Sequence, residues 1–428
     1  MKKKIKISIL GMGYVGLPLA VESGKYFPTI GFDIDACKIK NLKKNIDLNN
    51  ELSKSDIKSS KFLNFSSKLQ DISKSNFYIV CVPTPINKNK KPDLRLLKNA
   101  GLLLSKIIKR GDFVVFESTV YPGVTEKICK EIISKKSGLK YLVSDSRNGF
   151  HGGYSPERLN PGEKNRKLYQ ITKIVSGSNN YSKKIISQVY SKIQKNNIFV
   201  TSSIQIAEAA KVIENVQRDV NIALVNEFSK IFDSSNIDIF EVLKAASTKW
   251  NFHRYFPGLV GGHCIGVDPY YLAYFSKLKK VNPRMIISGR SINDTMYKYV
   301  VNKIIKKSKV ANLNISKANL LIMGYTFKKN CSDTRNTQVE RIFNGLREKF
   351  KTIDIFDPFV SINNEALKRK NNFIKRLSSK KYDIVIIAVD HDFFYKLGIQ
   401  KIKNLLKNKN GLIFDINNLF ESKSFIHI

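Results

Sequence analysis

The chain has 428 residues, of which 42% are hydrophobic and 25% charged, and its 74 Lys and Arg against 35 Asp and Glu give a net charge of +39. The hydrophobic fraction argues against a disordered chain, and the length predicts two or three domains. The lysines are scattered from Lys2 to Lys423 and form no single stripe. We therefore interpret the positive excess as a solvated surface that favours anionic small molecules, and we expect no nucleic-acid partner.

Cysteine usage and the N-terminus bear on the compartment. The cysteines are Cys37, Cys81, Cys129, Cys264 and Cys331, and none forms a C-x-x-C pair. This pattern argues against a zinc knuckle or a disulfide framework, so we expect no metal and a reducing compartment. The apolar run after the first lysines resembles a signal peptide, but Gly11, Gly13 and Gly16 interrupt it, and no other apolar run is long enough to span a bilayer. We expect a cytoplasmic protein without a membrane partner.

The first part of the chain alternates strand and helix patterns. Short apolar strands are predicted at Lys6–Leu10, Thr29–Asp33, Asn76–Val82 and Asp112–Glu117, and a helix is predicted around Ala20–Ser23. Strands separated by helical segments predict a parallel sheet with helices on both faces.

The middle of the chain is helical, and a second alternating series follows it. Ser203–Asp233 has no Pro or Gly and carries apolar residues at helical spacing, which predicts one long helix. Further helices are predicted at Asp238–Ala246, Asn293–Ile305 and Thr337–Phe350, and further strands at Ala318–Met323, Thr352–Phe356, Asp383–Val389 and Gly411–Asp415. We predict an α/β protein in which two Rossmann-like parallel-sheet domains, 1–202 and 313–428, are joined by a long central helix and a helical middle domain, 203–312.

A glycine pattern follows the first predicted strand. Gly11, Gly13 and Gly16 form G-x-G-x-x-G, in which the first glycine allows a tight turn, the second lets a pyrophosphate approach the backbone, and the third lets helix and strand pack closely. Asp33 ends the next strand, where a carboxylate accepts hydrogen bonds from ribose hydroxyls and repels a 2′-phosphate. The pattern predicts NAD, although Asp33 could instead only start a turn.

Two polar groups suggest chemistry. Cys264 lies in the glycine-rich loop Phe256–Tyr271, beside His263 and four residues before Asp268. It could be a nucleophile, or a buried structural thiol. On the predicted long helix, Lys211 and Asn215 are one turn apart and could stabilise an oxyanion, with Glu208 on the same side. Spacing leaves open the alternative that these residues form a solvated polar face.

Six ordered motifs carry a family resemblance over nearly the whole chain. They are G11-M-G-Y-V-G-L-P18, E117-S-T-V-Y-P-G123, S155-P-E-R-L-N-P-G162, A207-E-A-A-K-V-I-E-N215, G261-G-H-C-I-G-V-D268 and F327-K-K-N-C-S-D-T-R335. The chain resembles the UDP-glucose/GDP-mannose 6-dehydrogenase family, and most of all its branch acting on UDP-N-acetylhexosamines for surface polysaccharides. The resemblance implies a four-electron oxidation of the sugar C6 hydroxyl with two NAD, and a homodimer formed through the long helix.

The resemblance also assigns roles residue by residue. It implies that Cys264 is the nucleophile and that Lys211 and Asn215 stabilise the oxyanion. It implies further that Asp268 positions or activates water and supports Lys211, that Glu157 assists hydrolysis, and that Thr119 holds the catalytic water or the substrate. The implied NAD contacts are Gly11, Gly13, Tyr14, Val15, Gly16, Asp33, Pro83, Thr84, Ser118 and Thr119. The implied UDP-sugar contacts are Glu157, Arg158, Lys211, Asn215, Arg254, Phe256, Gly261, Arg290, Lys328 and Arg335.

Three positions depart from the family pattern. The segment 144–153 is polar and glycine-rich where the family has a short apolar strand, so we expect an inserted loop or a displaced Glu157. Pro161 stands where glucose-acting members have a second acidic residue, which favours an N-acetyl sugar, and Lys329 replaces an acidic residue at the surface. The alternatives are an enzyme acting on UDP-glucose, UDP-N-acetylmannosamine or GDP-mannose, or, more remotely, a non-catalytic basic protein that binds nucleic acid.

Overall fold

The computed structural model describes residues 4–49, 51–145, 148–158, 168–360, 373–377 and 380–428. The chain divides into two compact units, each built around its own sheet. The first unit comprises Met1–Glu214 and Tyr270–Val281, and the second comprises Asn215–Pro269 and Asn282–Ile428. Within the described ranges, no helix combines the length and the apolar character needed to cross a membrane.

The first unit is built on an eight-stranded sheet with the order β3-β2-β1-β4-β5-β6-β7-β8. Its strands are β1 (Ile7–Leu10), β2 (Thr29–Phe32), β3 (Leu63–Ser66), β4 (Phe77–Val80), β5 (Phe113–Phe116), β6 (His151–Tyr154), β7 (Lys173–Gly177) and β8 (Ile198–Val200). Neighbouring strands are parallel except β6 and β7, which are antiparallel. The strand order reverses between β1 and β4, and α/β sheets bind ligands at the carboxyl end of such a switch point.

Alternating side chains of these strands enter two separate cores. Phe77 and Ile79 of β4 belong to the core on one face, whereas Tyr78 and Val80 belong to the core on the other. The helices of the unit are α1 (Gly16–Ser23), α2 (Ala36–Lys43), α3 (Lys54–Lys58), α4 (Leu69–Ile72), α5 (Arg95–Ser105), α6 (Val124–Ile128), α7 (Lys135–Ser137) and α8 (Asn180–Ile193). A π-helical turn, Cys129–Ser134, joins α6 to α7, and a 3-10 turn lies at Leu168–Gln170. Because both faces of the sheet are covered, the central strands β4 and β5 are apolar at every position.

The prediction of a loop at 144–153 is wrong for its last three residues, 151–153, because they belong to strand β6. All four residues of β6 are buried, and Gly152 and Gly153 are needed there, since a Cβ atom would lie 2.6 Å from the Tyr141 ring and 2.4 Å from the Ile186 side chain, respectively. The His151 ring stacks on Phe113 with centroids 4.9 Å apart. Burial lowers the pKa of His151 to about 4, so it packs as a neutral ring. The strand therefore exists without an apolar sequence signal.

The predicted long helix is confirmed as α9 (Ile204–Ser234), which contributes residues to both units. The other helices that follow are α10 (Ile239–Ala246), α11 (Asp268–Leu278), α12 (Arg284–Val310), α13 (Gln338–Leu346), α14 (Asp392–Leu397) and α15 (Ile399–Lys403), with a 3-10 turn at Ile315–Lys317. Helix α12 begins earlier than predicted. Its N-cap is Pro283, a residue that a helix start tolerates.

The second unit contains a four-stranded sheet with the order β10-β9-β11-β12. Its strands are β9 (Asn319–Met323), β10 (Thr352–Phe356), β11 (Ile384–Ile387) and β12 (Leu412–Asp415), all parallel. Leu320 and Ile322 enter one core with α12 and α13, and Leu321 and Met323 enter the other with α14 and α15. The predicted α/β class with two parallel-sheet parts is confirmed. The three-way domain division, with boundaries at 202 and 312, stays a prediction.

Candidate active site

The glycine turn after β1 leaves its backbone open on one side. Gly11 has φ +98°, and a Cβ atom there would lie 2.9 Å from the carbonyl oxygen of Cys81. A Cβ atom at Gly16 would lie 1.9 Å from the carbonyl oxygen of Gly11, so only glycine fits. At Gly13, by contrast, a Cβ atom would meet nothing within 4 Å. Helix α1 begins here without a side-chain cap from Val15, so the turn fits an anionic pyrophosphate.

Asp33 lies immediately after β2 and is buried with its carboxylate already engaged. One oxygen accepts hydrogen bonds from the backbone N–H of Met12 at 2.9 Å and from Lys38 Nζ at 2.8 Å, and the other accepts from the backbone N–H of Asp35 at 3.0 Å. Burial alone would raise the pKa of Asp33, but these hydrogen bonds lower it below its ordinary value. The group is therefore anionic at neutral pH, which favours NAD over its 2′-phosphorylated form.

Two loops at the carboxyl edge of the first sheet are tied together. Thr84 Oγ1 donates to the carbonyl oxygen of Thr119 at 2.7 Å, and Ser118 Oγ donates to the carbonyl oxygen of Val82 at 2.6 Å. The Tyr271 hydroxyl donates to the carbonyl oxygen of Thr84 at 2.8 Å. The loops after β4 and β5 thus hold Thr84, Ser118 and Thr119 close to one another. Their contacts with NAD stay a prediction, as do those of Tyr14 and Pro83.

Glu157 is buried within the first unit. Its Oε2 lies 3.1 Å from Lys173 Nζ, and its Oε1 accepts a hydrogen bond from the backbone N–H of Arg158 at 2.7 Å. The guanidinium of Arg158 forms an ion pair with Glu214 at 2.8 Å and donates to the carbonyl oxygen of Thr172 at 2.7 Å. Both predicted residues therefore have protein partners. Pro161, from which we inferred an N-acetyl sugar, lies outside the described residues.

The polar residues at the start of α9 are buried, so the alternative of a solvated polar face is wrong. Lys211 and Asn215 are 8% and 7% exposed, and Glu208 has no exposure. Glu208 accepts hydrogen bonds from the backbone N–H groups of Gly123 at 2.6 Å and Thr125 at 2.9 Å. It therefore caps α6 and fixes the end of the motif that contains Thr119. Burial raises the pKa of Glu208 to about 7, although both backbone hydrogen bonds oppose the shift.

In the second unit, the structure brings Asn215 and Asp268 together. Asn215 Nδ2 donates to Asp268 Oδ2 at 2.5 Å, and both side chains are buried. Asp268 is the first residue of α11, and its backbone N–H donates to the carbonyl oxygen of Cys264 at 2.9 Å. The cysteine therefore lies in the turn that leads into this helix, one turn away from the carboxylate that holds Asn215.

The loop that carries Cys264 is fixed by the segment Phe327–Asn336. A Cβ atom at Gly262, which has φ +80°, would lie 2.6 Å from the Phe327 ring, and one at Gly261 would lie 2.9 Å from the carbonyl oxygen of Asn336. Asn336 Nδ2 donates to the carbonyl oxygen of Gly262 at 3.2 Å. The fold thus joins two of the six motifs. Cys264 itself is partly exposed, as a nucleophile must be to reach a substrate.

Beside this loop, Arg335 belongs to a small charged cluster. Its guanidinium donates to both carboxylate oxygens of Asp333, the shortest contact being 2.6 Å, and lies 3.4 Å from His263 Nε2. Burial alone would raise the pKa of Asp333, but Arg335 lowers it below its ordinary value. Half of the Arg335 side chain remains exposed. Its planar guanidinium is therefore oriented and accessible, as diphosphate recognition requires.

The remaining predicted substrate contacts differ in accessibility. Arg254 and Phe256 are exposed, and the guanidinium lies 4.8 Å from the ring centre. The Lys328 ammonium lies 5.6 Å from the Phe327 ring centre. Arg290, however, is buried between Asp219, at 2.5 Å, and Asp294. Because breaking buried ion pairs is costly, this geometry favours a structural role for Arg290 over the predicted diphosphate contact, which stays untested.

Two buried charged residues in the first unit were missed in the sequence. Glu117 and Lys173 form an ion pair at 2.7 Å, and the same lysine contacts Glu157. The available signal was Lys173 itself, because a lysine that opens an apolar strand is rarely buried without a partner.

Three sequence profiles of one family match this chain. They are the NAD-binding, central and UDP-binding domains of the UDP-glucose/GDP-mannose dehydrogenase family, at residues 5–194, 205–295 and 321–422. The NAD-binding profile covers the glycine turn and Asp33, and the central profile covers Lys211, Asn215 and Cys264.

Individual relatives match over almost the full chain. The UDP-N-acetyl-D-glucosamine 6-dehydrogenase of Salmonella typhi is 44% identical, covering 96% of this chain and 95% of its own. That of Pseudomonas aeruginosa is 43% identical, covering 100% of both chains. The solved UDP-D-ManNAc dehydrogenase of Pyrococcus horikoshii is 28% identical, with a TM-score of 0.85, covering 99% of this chain and 98% of its own. The chain belongs to the UDP-glucose/GDP-mannose dehydrogenase family and is an NAD-dependent nucleotide-sugar dehydrogenase.

Proposed function

We propose that this chain oxidises the C6 hydroxyl of a UDP-N-acetylhexosamine, most specifically UDP-N-acetylglucosamine, to the carboxylate. The observation that carries the proposal is the pair of relatives at 43–44% identity, both of which are UDP-N-acetyl-D-glucosamine 6-dehydrogenases matched over at least 95% of either chain. The uronate product would supply surface polysaccharide synthesis.

The chain's own residues suit a thiol-mediated oxidation. NAD, when bound, accepts a hydride from C6 in each of two oxidations. Cys264 would add to the C6 aldehyde to give a thiohemiacetal, which prevents loss of the aldehyde. Loss of a second hydride from C6 leaves a thioester, and water then releases the carboxylate and the thiol. In this account Lys211 and Asn215 stabilise the oxyanion, and Asn215 is already oriented by Asp268.

Glu157 and Thr119 would serve the hydrolytic water. The proposal requires the Cys264 sulfur, the Lys211 ammonium and C6 of the sugar to meet during the reaction. A substrate-bound structure in which the sulfur and the ammonium lay far apart would contradict it.

A panel of nucleotide sugars tests the substrate. UDP-N-acetylglucosamine, UDP-N-acetylgalactosamine, UDP-N-acetylmannosamine, UDP-glucose and GDP-mannose are each incubated with the enzyme and NAD, and kcat/KM is measured from NADH absorbance. We expect the highest value for UDP-N-acetylglucosamine. A higher value for UDP-glucose or GDP-mannose would contradict an N-acetylhexosamine substrate.

The second candidate substrate is UDP-N-acetylmannosamine. It is favoured by the solved dehydrogenase from Pyrococcus horikoshii and by a relative from Methanococcus vannielii that is 33% identical and is named a UDP-N-acetyl-D-mannosamine dehydrogenase. The lower identity makes it second. The same panel separates the two, because the epimers differ only at C2.

We propose that the protein is cytoplasmic and that its functional domains are 1–202, 203–312 and 313–428. We also propose that it forms a homodimer through α9. Leu224, Phe228 and Ile231 are 46%, 37% and 53% exposed and lie on one face of the helix at spacings of four and three. Such an apolar stripe on a helix supports burial against a second copy. Light scattering tests this, since Phe228→Lys should yield monomers while the control Lys230→Gln, at a half-buried position of the same helix, stays dimeric. A wild-type monomer would contradict the proposal.

A further inference from the structure

A buried network links three charged side chains at the carboxyl edge of the first sheet. Lys173 Nζ lies 2.7 Å from Glu117 Oε2 and 3.1 Å from Glu157 Oε2. The Tyr190 hydroxyl donates to Glu117 Oε1 at 2.5 Å, and the Lys173 ammonium lies 5.8 Å from the centre of the Tyr190 ring. These four side chains are at least nine-tenths buried. Lys173 is thus held between two carboxylates beside an aromatic ring.

The antiparallel pairing of β6 with β7 explains how these residues meet. Glu117 follows the last residue of β5, and Glu157 follows β6 by three residues. Strand β7 runs antiparallel to β6, so its first residue, Lys173, lies beside the end of β6. A parallel β7 would place that lysine at the opposite edge.

The charges of the network are unequal, with two carboxylates for one ammonium. Burial alone would lower the pKa of Lys173, but Glu117 and Glu157 raise it above its ordinary value, so the ammonium is charged. Burial raises the pKa of Glu117 to about 7 against the effect of Lys173, and Glu157 adds to the rise. A buried lysine between two carboxylates therefore balances the negative charge of Glu157.

The network also fixes the direction in which Glu157 points. Lys173 holds its Oε2, and the backbone N–H of Arg158 holds its Oε1 at 2.7 Å. A carboxylate held at both oxygens cannot rotate about its last torsion without losing one contact. Of these two contacts, the one with Lys173 is made by a side chain and can be removed by a substitution.

We propose that Lys173 is a positioning residue that holds the Glu157 carboxylate in the orientation needed for thioester hydrolysis. The inference rests on the proposed function of Glu157 and deepens it. Lys173 itself touches neither the sugar nor the cofactor in this account. Its removal should slow the release of the carboxylate and leave the binding of NAD unchanged.

The test uses the double variant Lys173→Met/Glu117→Gln. At pH 8 and above, where Glu117 is ionised, it removes one positive and one negative charge together, so the buried net charge of the network stays the same and the fold should survive. We expect a melting temperature near that of the wild type and a kcat reduced at least about tenfold. This is less than the roughly 10²- to 10⁴-fold that general acid–base assistance contributes, because Glu157 itself is retained. The KM for NAD should stay within about twofold. Intact-protein mass spectrometry should show a sugar adduct on Cys264 that accumulates during turnover.

The matched control is Glu117→Gln alone, which keeps Lys173 against Glu157. We expect its kcat to stay within about threefold of the wild type, because the contact with Glu157 is retained. If the double variant turns over like the wild type, Lys173 is only a structural counter-charge and the inference is overturned. An equal loss in Glu117→Gln would also overturn it.

If the double variant does not fold, Lys173→Arg is assayed in its place, because arginine keeps the positive charge but moves the nitrogen that contacts Glu157. It should lower kcat at an unchanged KM for NAD, and a wild-type kcat would overturn the inference.

The failure of this inference is distinguishable from that of the proposed function. All variants are assayed with whichever nucleotide sugar the wild type oxidises, so a different sugar leaves the test intact. Full activity of Glu157→Gln would overturn the positioning role while the substrate proposal stands. A single NADH per sugar from the wild type would instead contradict the proposed carboxylate product.

Discussion

Gly13 offers a substitution that separates cofactor binding from folding. A Cβ atom added there would meet no protein atom within 4 Å, and Gly13 does not have a positive φ. Gly13→Ala is therefore compatible with the native backbone. Because alanine restricts the unfolded chain more than glycine does, the variant should be unchanged or up to about 1 kcal/mol more stable.

The same methyl group would occupy the space into which we expect the pyrophosphate of NAD to approach the turn. Displacing the pyrophosphate removes the close contact between a phosphate oxygen and a backbone N–H. A hydrogen bond to a charged group contributes about 1.5 to 3 kcal/mol, which corresponds to a Kd for NAD raised roughly 10- to 150-fold. Stability and affinity should therefore change independently at this position.

Isothermal titration with NAD and thermal unfolding measure the two effects, and UDP binding provides an internal control that should not change. The matched variant is Gly16→Ala, whose Cβ atom would lie 1.9 Å from the carbonyl oxygen of Gly11. The turn would have to move by more than 1 Å to reach an ordinary contact, so this variant should lose both stability and NAD affinity. Wild-type NAD affinity in Gly13→Ala would refute the assignment of the turn to the pyrophosphate.

Three further predictions address other parts of the site. Cys264→Ser should bind NAD normally but form no carboxylate, as product analysis would detect, and normal turnover would remove the thiol from the mechanism. Asp33→Ala should weaken NAD binding in calorimetry and leave UDP-sugar binding unchanged; an equal loss of both would point to a folding defect. Burial raises the pKa of Glu208 from 4.5 to about 7, so the folded protein binds this proton more tightly than the unfolded chain does and is stabilised by it at low pH. That contribution, up to about 3 kcal/mol, is lost as the pH rises through 7. The free energy of unfolding of Glu208→Gln should therefore depend less on pH between pH 5 and 8 than that of the wild type. An equal dependence in the two proteins would contradict the raised pKa of Glu208.

The strands and the glycine turn were predictable because local patterns determine them. The strands β1, β2, β4 and β5 are apolar runs, and the turn after β1 needs glycine for steric reasons that spacing alone reveals. Strand β6 was not predictable in this way. It lies between β5 and β7 in the sheet and is buried. Because Tyr141 and Ile186 pack against it, two of its positions are glycine, and the strand therefore lacks the apolar sequence pattern by which strands are predicted.

Burial and long-range pairing were beyond the sequence patterns. Helical spacing placed Lys211 and Asn215 on one face but could not tell whether that face is solvated, and the structure buries both. Lys173 meets Glu117 across 56 residues, and only the reversed direction of β7 brings them together. Arg290 was assigned to the diphosphate by the family resemblance, whereas its buried partner Asp219 is brought to it by the packing of α9 against α12.

The stoichiometry of the reaction tests the central claim most directly. With UDP-N-acetylglucosamine limiting and NAD in excess, the enzyme should form two NADH per sugar and a C6 carboxylate, because in the proposed mechanism the thiol of Cys264 retains the intermediate for the second oxidation. One NADH per sugar, with a free aldehyde as the product, would contradict the account.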